Sequence, residues 1–246
     1  MSGDDAHGGR RKGGKMTASI RFWVAAWSAW DERDDTLVSG GAVQARPQLP
    51  QSLRRRVTAI GRKALQAAWA VLPDQVEPRL VLASRHGEYD RTIGLLDSLA
   101  ADGAVSPAEF SLSVHHALVG LLSIATGNRQ GHSAVAAGTD SCGYGLIEAA
   151  SFVAEQSHPA VVICFDALLP EIYHAVAVEP CLHPLALAVL MVPPSWPGAV
   201  AIDMEFTPRS PGAEICLNQS LVQVLRHGGE QKARGGRHDW RWRHAA

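Results

Sequence analysis

The residue best placed to do chemistry is Cys142. It lies in Ala136-Ala137-Gly138-Thr139-Asp140-Ser141-Cys142-Gly143-Tyr144-Gly145-Leu146, which reads as the end of a buried strand, a sharp turn and a helix start. A thiol at a helix N-terminus meets unpaired backbone N–H groups and the positive end of the macrodipole. Both favour the thiolate, which is the nucleophilic form. The turn is not the G-x-S-x-G elbow of hydrolases, because Thr139 stands where Ser141 would need its first glycine. A base for such a nucleophile is usually histidine, and His115 and His116 sit side by side on an apolar helical stretch. Helix neighbours point about 100° apart, so the pair makes no ligand site by itself, and the competing reading is a core or interface histidine.

The other cysteines, Cys164, Cys181 and Cys216, form no C-x-x-C pair and have no metal-ligand spacing with nearby histidines. Cys164 stands inside an apolar run, where cysteine acts as a small hydrophobe. The pattern suits free thiols in a reducing compartment, so the expected location is cytoplasmic. Nucleotide binding has no support, since neither a G-x-x-x-x-G-K-[ST] loop nor a G-x-G-x-x-G after a strand is present. No cofactor and no metal are called for.

These groups must be positioned by a core, and 246 residues with 46% hydrophobic content suffice for a sizeable one. A formal net charge of −1 gives no general reason to bind nucleic acid. No run reaches the roughly 18 apolar residues that a membrane span needs. Residues 1–15 are a basic, glycine-rich leader, expected as a disordered extension or the product of an upstream start codon, and not a signal peptide.

Ile20 to Trp27 is β-branched and aromatic and reads as a first strand, and 31–51 reads as loop. A helix capped by Ser52 follows, its apolar face drawn from Val57, Ile60, Ala64, Leu65, Ala68 and Trp69. Arg54, Arg55 and Arg56 precede that face, either as solvated charge or as a docking patch for something acidic. Arg79–Ser84 reads as a strand, 88–102 as a helix closed by Gly103, and Ser106-Pro107-Ala108-Glu109 as a capped helix start. Leu112–Ala125 reads as one apolar helix stopped at Gly127. A strand at 133–137 and a helix over about 143–156 flank the cysteine turn. Buried strands at 160–165 and 186–192, an alternating strand at 200–206 and a short helix at 218–226 lead to a basic tail. The order β-α-β-α-β-α-β-β argues a layered α/β domain.

Phe110–Ala117, Gly120–Ala125 and the Ala136–Leu146 turn together resemble the β-ketoacyl synthase N-terminal-like family. Trp27-Ser28-Ala29-Trp30, Ala83–Glu88 and the closing Trp240-Arg241-Trp242-Arg243 extend the resemblance over most of 18–243. Members of that family accompany aryl-polyene-type polyketide clusters and are described as chain-length-factor-like subunits. The resemblance implies a thiolase-like fold, as a single N-terminal half with a layered mixed sheet flanked by helices. On that frame 16–207 is the thiolase-like domain and 208–246 a C-terminal helix and basic tail.

Cys142 matches the family's nucleophile position, with Leu146 four residues on, although Gly143-Tyr144-Gly145 departs from the usual Cys-Ser-Ser-Ser-Leu pattern. In complete synthases the second half supplies two histidines that stabilise the developing oxyanion or enolate. Here roughly 54 residues follow Val192, and His227, His238 and His244 fall in the tail without strand context. Without such preorganised donors condensation loses orders of magnitude in rate.

The expected function is therefore an accessory, chain-length-factor-like subunit. It would form a heterodimer with a complete β-ketoacyl synthase, shape the acyl pocket in polyketide or fatty-acid-like elongation, and meet an acidic acyl carrier protein. His115, His116, Gly120 and Tyr144 are the candidate pocket or interface residues, and Cys142 is the vestigial or working thiol. The alternatives are an active acyltransferase using Cys142, with His115 or His116 as base, and a structural scaffold of a biosynthetic complex.

Overall fold

In the computed structural model, which describes residues 17–44, 48–173, 175, 180–181 and 183–245, nine strands form one mixed sheet. In chain order the strands are β1 (Ala18–Asp31), β2 (Thr36–Gly41), β3 (Arg79–Ala83), β4 (His132–Val135), β5 (Ala160–Asp166), β6 (Leu185–Val192), β7 (Val200–Pro208), β8 (Glu230–Arg234) and β9 (His238–His244). The helices are α1 (Gln51–Arg54), α2 (Ala59–Val71), α3 (Tyr89–Asp102), α4 (Pro107–Ser113), α5 (Ala117–Thr126), α6 (Ser141–Gln156) and α7 (Leu217–His227). The leader 1–15 lies outside the described residues.

The strands run in the order β4-β3-β5-β6-β1-β7-β9-β8, with β2 also paired to β1. β3 is parallel to β4 and β5, and the remaining pairs are antiparallel. α2 and α5 cover one face with Ile60, Leu65, Leu118 and Leu122. α6 and α7 cover the other with Leu146, Ala149, Leu221 and Val224. β5 and β6 lie between both layers, which is why they read as unbroken apolar runs.

The burial of β1 changes along its length for the same reason. It alternates through Ile20 and Arg21, then is buried almost continuously from Val24 to Trp30, where α2 begins to cover its second face. Its unhelped end, with β7 and β9, turns a charged face to solvent. There Asp203 receives Arg21 at 2.6 Å and Arg243 at 3.0 Å, and Glu205 pairs with Arg241.

The hydrogen bond from Arg21, then that from Arg243, lower the Asp203 pKa to about 2 against the opposing effect of burial. A carboxyl whose folded pKa lies below its unfolded value near 3.9 stabilises above that value and loses its contribution as pH falls towards the folded pKa. Asp203→Asn is therefore expected to flatten acid unfolding between about pH 4 and pH 2. The loss at neutral pH should not exceed about 1 kcal/mol, because Arg21 and Arg243 are 54% and 52% exposed. Urea midpoints across that pH range test it, and an unchanged acid limb would contradict it.

Four expectations from sequence change. Residues 31–51 are not all loop: Thr36–Gly41 forms β2, which β1 hides because an exposed edge strand carries no apolar signal. The helix expected from Ser52 begins at Ala59 instead. Thr58 Oγ1 accepts the Gly61 N–H at 3.2 Å as its cap, while Gln51–Arg54 makes one separate turn.

The single apolar helix expected over 112–125 is two helices, α4 and α5, bent by 97°. Val114 is extended (φ −72°, ψ 145°), and the Ser111 and Ser113 hydroxyls bond back to Pro107 O and Phe110 O, competing with the backbone ladder. His115 and His116 thus occupy a turn rather than a helix. No single helix among the described residues is long and apolar enough to cross a membrane.

The largest change concerns the tail. The expected helix is α7, but the basic segment after it is the β8–β9 hairpin, hydrogen-bonded to β7 and continuous with the sheet. Trp240 and Trp242 point to the same face and are 1% and 0% exposed, with Arg241 and Arg243 outward. The alternation that defines a strand was present, yet the arginines made it read as charge.

Candidate functional site

The turn before α6 is built by its own polar groups. Gly138 takes φ 62°, a left-handed conformation open to glycine, and Ser141 Oγ donates to Gly138 O at 2.6 Å while accepting the Ala137 N–H at 2.9 Å. Asp140 does not cap α6 with its side chain. Its fully buried carboxylate reaches the C-terminal hairpin instead, accepting Trp240 Nε1–H at 2.7 Å on one oxygen and the Arg237 N–H at 2.7 Å on the other. A Cβ on Gly235 would stand 1.9 Å from that carboxylate, so glycine is required there.

The glycines around Tyr144 have the same kind of cause. A Cβ on Gly143 would meet the Trp240 ring at 2.4 Å, and one on Gly145 would meet the Ala83 Cβ at 2.6 Å. Gly143 admits the hairpin's tryptophan and Gly145 lets α6 lie close on β3. Between them Tyr144 Oη and His238 Nδ1 are hydrogen-bonded at 3.2 Å. Phe206, His238, Trp240 and Tyr144 make mutual edge and tilted ring contacts at 5.1–5.8 Å. His238, expected without strand context, therefore opens β9 and packs on the cysteine helix.

Cys142 itself is 3% exposed. Its sulfur accepts the Cys164 S–H at 3.2 Å. The bond to Cys142, then burial, raise the Cys164 pKa well above the ordinary thiol range, with the Cys142 and Asp166 charges adding to it. The sequence treated Cys164 as an inert hydrophobe, and its position beside Cys142 is a product of β5 packing on α6.

Cys142 borders a cleft of about 30 Å³ with Arg85, Gly138, Thr139, Ser141, Asp166, His183 and Cys181 among its walls. That is room for about one water, far from the space an acyl chain needs. Asp166 is committed to structure: one oxygen receives Ser84 Oγ–H, Arg85 N–H and His86 N–H at 2.8–3.0 Å.

The structure does not bring His115 and His116 to the thiol, and neither borders its cleft. His115 Nε2 lies 3.2 Å from Ser84 O, and the ring packs on Gly87. His116 stacks on His132 at 6.0 Å, near Gly120, whose Cβ would be 3.9 Å from His132 Nε2. Burial lowers the His132 pKa, helped by the His116 and Arg79 charges. His116, His132 and Gly120 thus gather at β4, which among the described residues pairs with β3 alone and ends the sheet. Close by in sequence, Leu96, Leu99, Phe110, Val114 and Ile124 expose apolar surface, Ile124 to 79%.

The four cysteines are not all free. Cys181 and Cys216 form a disulfide with a Cα–Cα distance of 4.9 Å, which corrects the expectation of unpaired thiols. Pairing of residues 35 apart depends on where the β5–β6 connection meets α7, and no spacing rule reports that.

Comparison with known proteins agrees with this geometry. The chain is similar to a chain of the ketosynthase ApeO in complex with its chain length factor ApeC from Xenorhabdus doucetiae, with TM-score 0.74 and 25% identity over 91% of this chain and 99% of that one. It shares its fold with the ishigamide ketosynthase/chain length factor, with TM-score 0.58 and 11% identity over 76% of this chain and 65% of that one. It also shares it with a chain of AntDE:AntF, a type II polyketide-synthase acyl carrier protein in complex with its ketosynthase bound to the hexaketide. There the TM-score is 0.57 and the identity 11%, over 72% of this chain and 64% of that one. No curated protein matches the chain. Residues 27–243 match the family described as "Beta-ketoacyl synthase, N-terminal domain", from the first buried tryptophans to the closing hairpin, and the chain belongs to that family.

Proposed function

We propose that this chain is a non-catalytic, chain-length-factor-like subunit that pairs with a complete β-ketoacyl synthase and helps shape its acyl pocket in polyene or fatty-acid-like elongation. The observation that carries the reading is the sealed thiol. Cys142 is 3% exposed, hydrogen-bonded to Cys164 and faces a cleft of about 30 Å³. An acyl-transferring cysteine needs an open approach and a base in hydrogen-bond reach. The likeness to a chain of the ketosynthase–chain length factor complex, over 91% of this chain, supports the same reading.

The partner surface in this reading is the free edge of β4 with the exposed apolar side chains of α3, α4 and α5. An apolar patch of this kind marks an interaction site. His115, His116 and Gly120 belong to that side, and Tyr144 to the packing between α6 and the hairpin. Arg55 and Arg56, exposed in the turn before α2 with half-buried Arg54, are the proposed docking patch for an acidic acyl carrier protein. A cytoplasmic location goes with this function.

Co-expression with the synthase encoded beside it tests the reading. The two chains are expected to co-purify, and Phe110→Asp combined with Ile124→Asp to abolish co-purification without lowering the melting temperature, since both side chains are exposed. Intact mass after incubation with an acyl carrier substrate is expected to show no adduct on Cys142. A stable adduct lost in Cys142→Ala would establish an acyltransferase instead. Unchanged product lengths from an intact complex carrying a bulky residue at Gly120 would leave only scaffolding.

A further inference from the structure

All four cysteines meet at one place. Cys142 and Cys181 border the same small cleft, Cys164 lies behind Cys142 at 3.2 Å, and Cys216 is bonded to Cys181. The cleft has Ser141 and Cys142 on one side, Pro180, Cys181 and His183 on another, and the start of α7 on a third.

The two ends of the disulfide are held very differently. Cys216 is fixed by its neighbours: its carbonyl accepts Ser220 N–H and Oγ–H, at 3.2 and 2.9 Å, and Ile215 pairs with Arg234 in both directions. On the other side, among the described residues no hydrogen bond joins Pro180, Cys181 or His183 to α7. The S–S bond is the one directional link that holds Cys181 against α7 across the cleft. Buried thiols become reactive only as fast as local opening uncovers them.

We propose that the Cys181–Cys216 disulfide is a redox-controlled tether that keeps Cys142 covered, so that its reduction makes Cys142 a reactive thiol. The reductant is a dithiol. One of its thiolates attacks a disulfide sulfur, breaking the S–S bond and releasing the other cysteine, which takes a proton. The second thiol then attacks its own partner sulfur, freeing the remaining cysteine. Two electrons and two protons pass to the protein, and the dithiol leaves as a cyclic disulfide. Cys181 is then free to leave the cleft while Cys216 stays on α7. Cys142, not Cys164, is the thiol uncovered, because Cys142 borders the cleft and Cys164 lies behind it as hydrogen-bond donor. Cytosolic disulfides are characteristically of this reversible, sensing kind. The proposal concerns thiol reactivity alone and does not rest on the partner assigned above.

The test uses the full chain purified without reductant, with N-ethylmaleimide as probe and peptide mass spectrometry as readout, before and after dithiothreitol treatment and desalting. Before reduction, Cys181 and Cys216 are expected to remain unlabelled and Cys142 to react slowly. After reduction both should label, and Cys142 should react at least about tenfold faster while Cys164 stays unlabelled. Cys181→Ser with Cys216→Ser should give the fast Cys142 rate without reductant. If that variant does not fold, the wild-type comparison decides alone. Labelling of Cys181 and Cys216 without reduction would overturn the proposal, as would an unchanged Cys142 rate. Parallel labelling of Cys164 would also overturn it, since that reports general loosening.

Discussion

Trp240→Ala is expected to lower the stability of the chain by about 3–5 kcal/mol, the range for deleting a large buried aromatic ring. The ring is 1% exposed and fills the space that Gly143 leaves by having no Cβ. It stacks on Trp242 at 5.8 Å and packs on Phe206 at 5.1 Å, so its loss opens a cavity that three rigid neighbours surround. A second cost adds to the first. Asp140 is fully buried and would keep the Arg237 N–H while losing the indole donor. Trp240→Phe separates the two: it keeps most of the volume and should cost about 1–3 kcal/mol, the penalty for an unsatisfied buried acceptor. For a chain of this size the alanine variant should melt roughly 10 °C lower. A fall of only a degree or two would mean that the hairpin does not hold the cysteine turn.

Gly145→Ala is the second large effect, and its sign depends on which of two forces wins. Helix propensity alone favours alanine by about 1 kcal/mol in a helix interior. The new Cβ, however, would stand 2.6 Å from the Ala83 Cβ and 3.6 Å from Val162 Cγ1. Ala83 belongs to β3 in the middle of the sheet and has no rotamer to turn away, so α6 itself must move outward. Overpacking of that kind costs about 1–3 kcal/mol, and the net change is expected to be destabilising. Gly94→Ala in α3 is the matched control. A Cβ there meets nothing within 4 Å, so only propensity acts and stability should rise by about 0.5–1 kcal/mol. Urea unfolding of the two variants side by side reads the difference. Equal signs would show that the α6–β3 approach is not tight.

How far the fold was legible can be judged element by element. β5 and β6 were plain because a strand buried on both faces must be apolar at every position, and that demand is local. The capped start at Ser106-Pro107 and the glycine stops at Gly103 and Gly127 were plain for the same reason, since each acts within a few residues. β2 was not legible, because an exposed edge strand carries no burial signal. The bend between α4 and α5 was not either: the apolar periodicity runs through it, and it is set by serine hydroxyls and the contact of His115 with Ser84.

By itself the sequence determined that a cysteine opens a helix after a strand and a glycine turn. It also carried the family, whose residues are spread from Trp27 to Arg243. What it did not determine is whether that cysteine is available. Availability depends on Trp240, which reaches Asp140 from one hundred residues along the chain, on Cys164 from the neighbouring strand, and on the Cys181–Cys216 bond across the cleft. Local periodicity records which side of an element faces a core. It holds no record of which distant element arrives there, and the state of the Cys142 thiol was decided by that arrival.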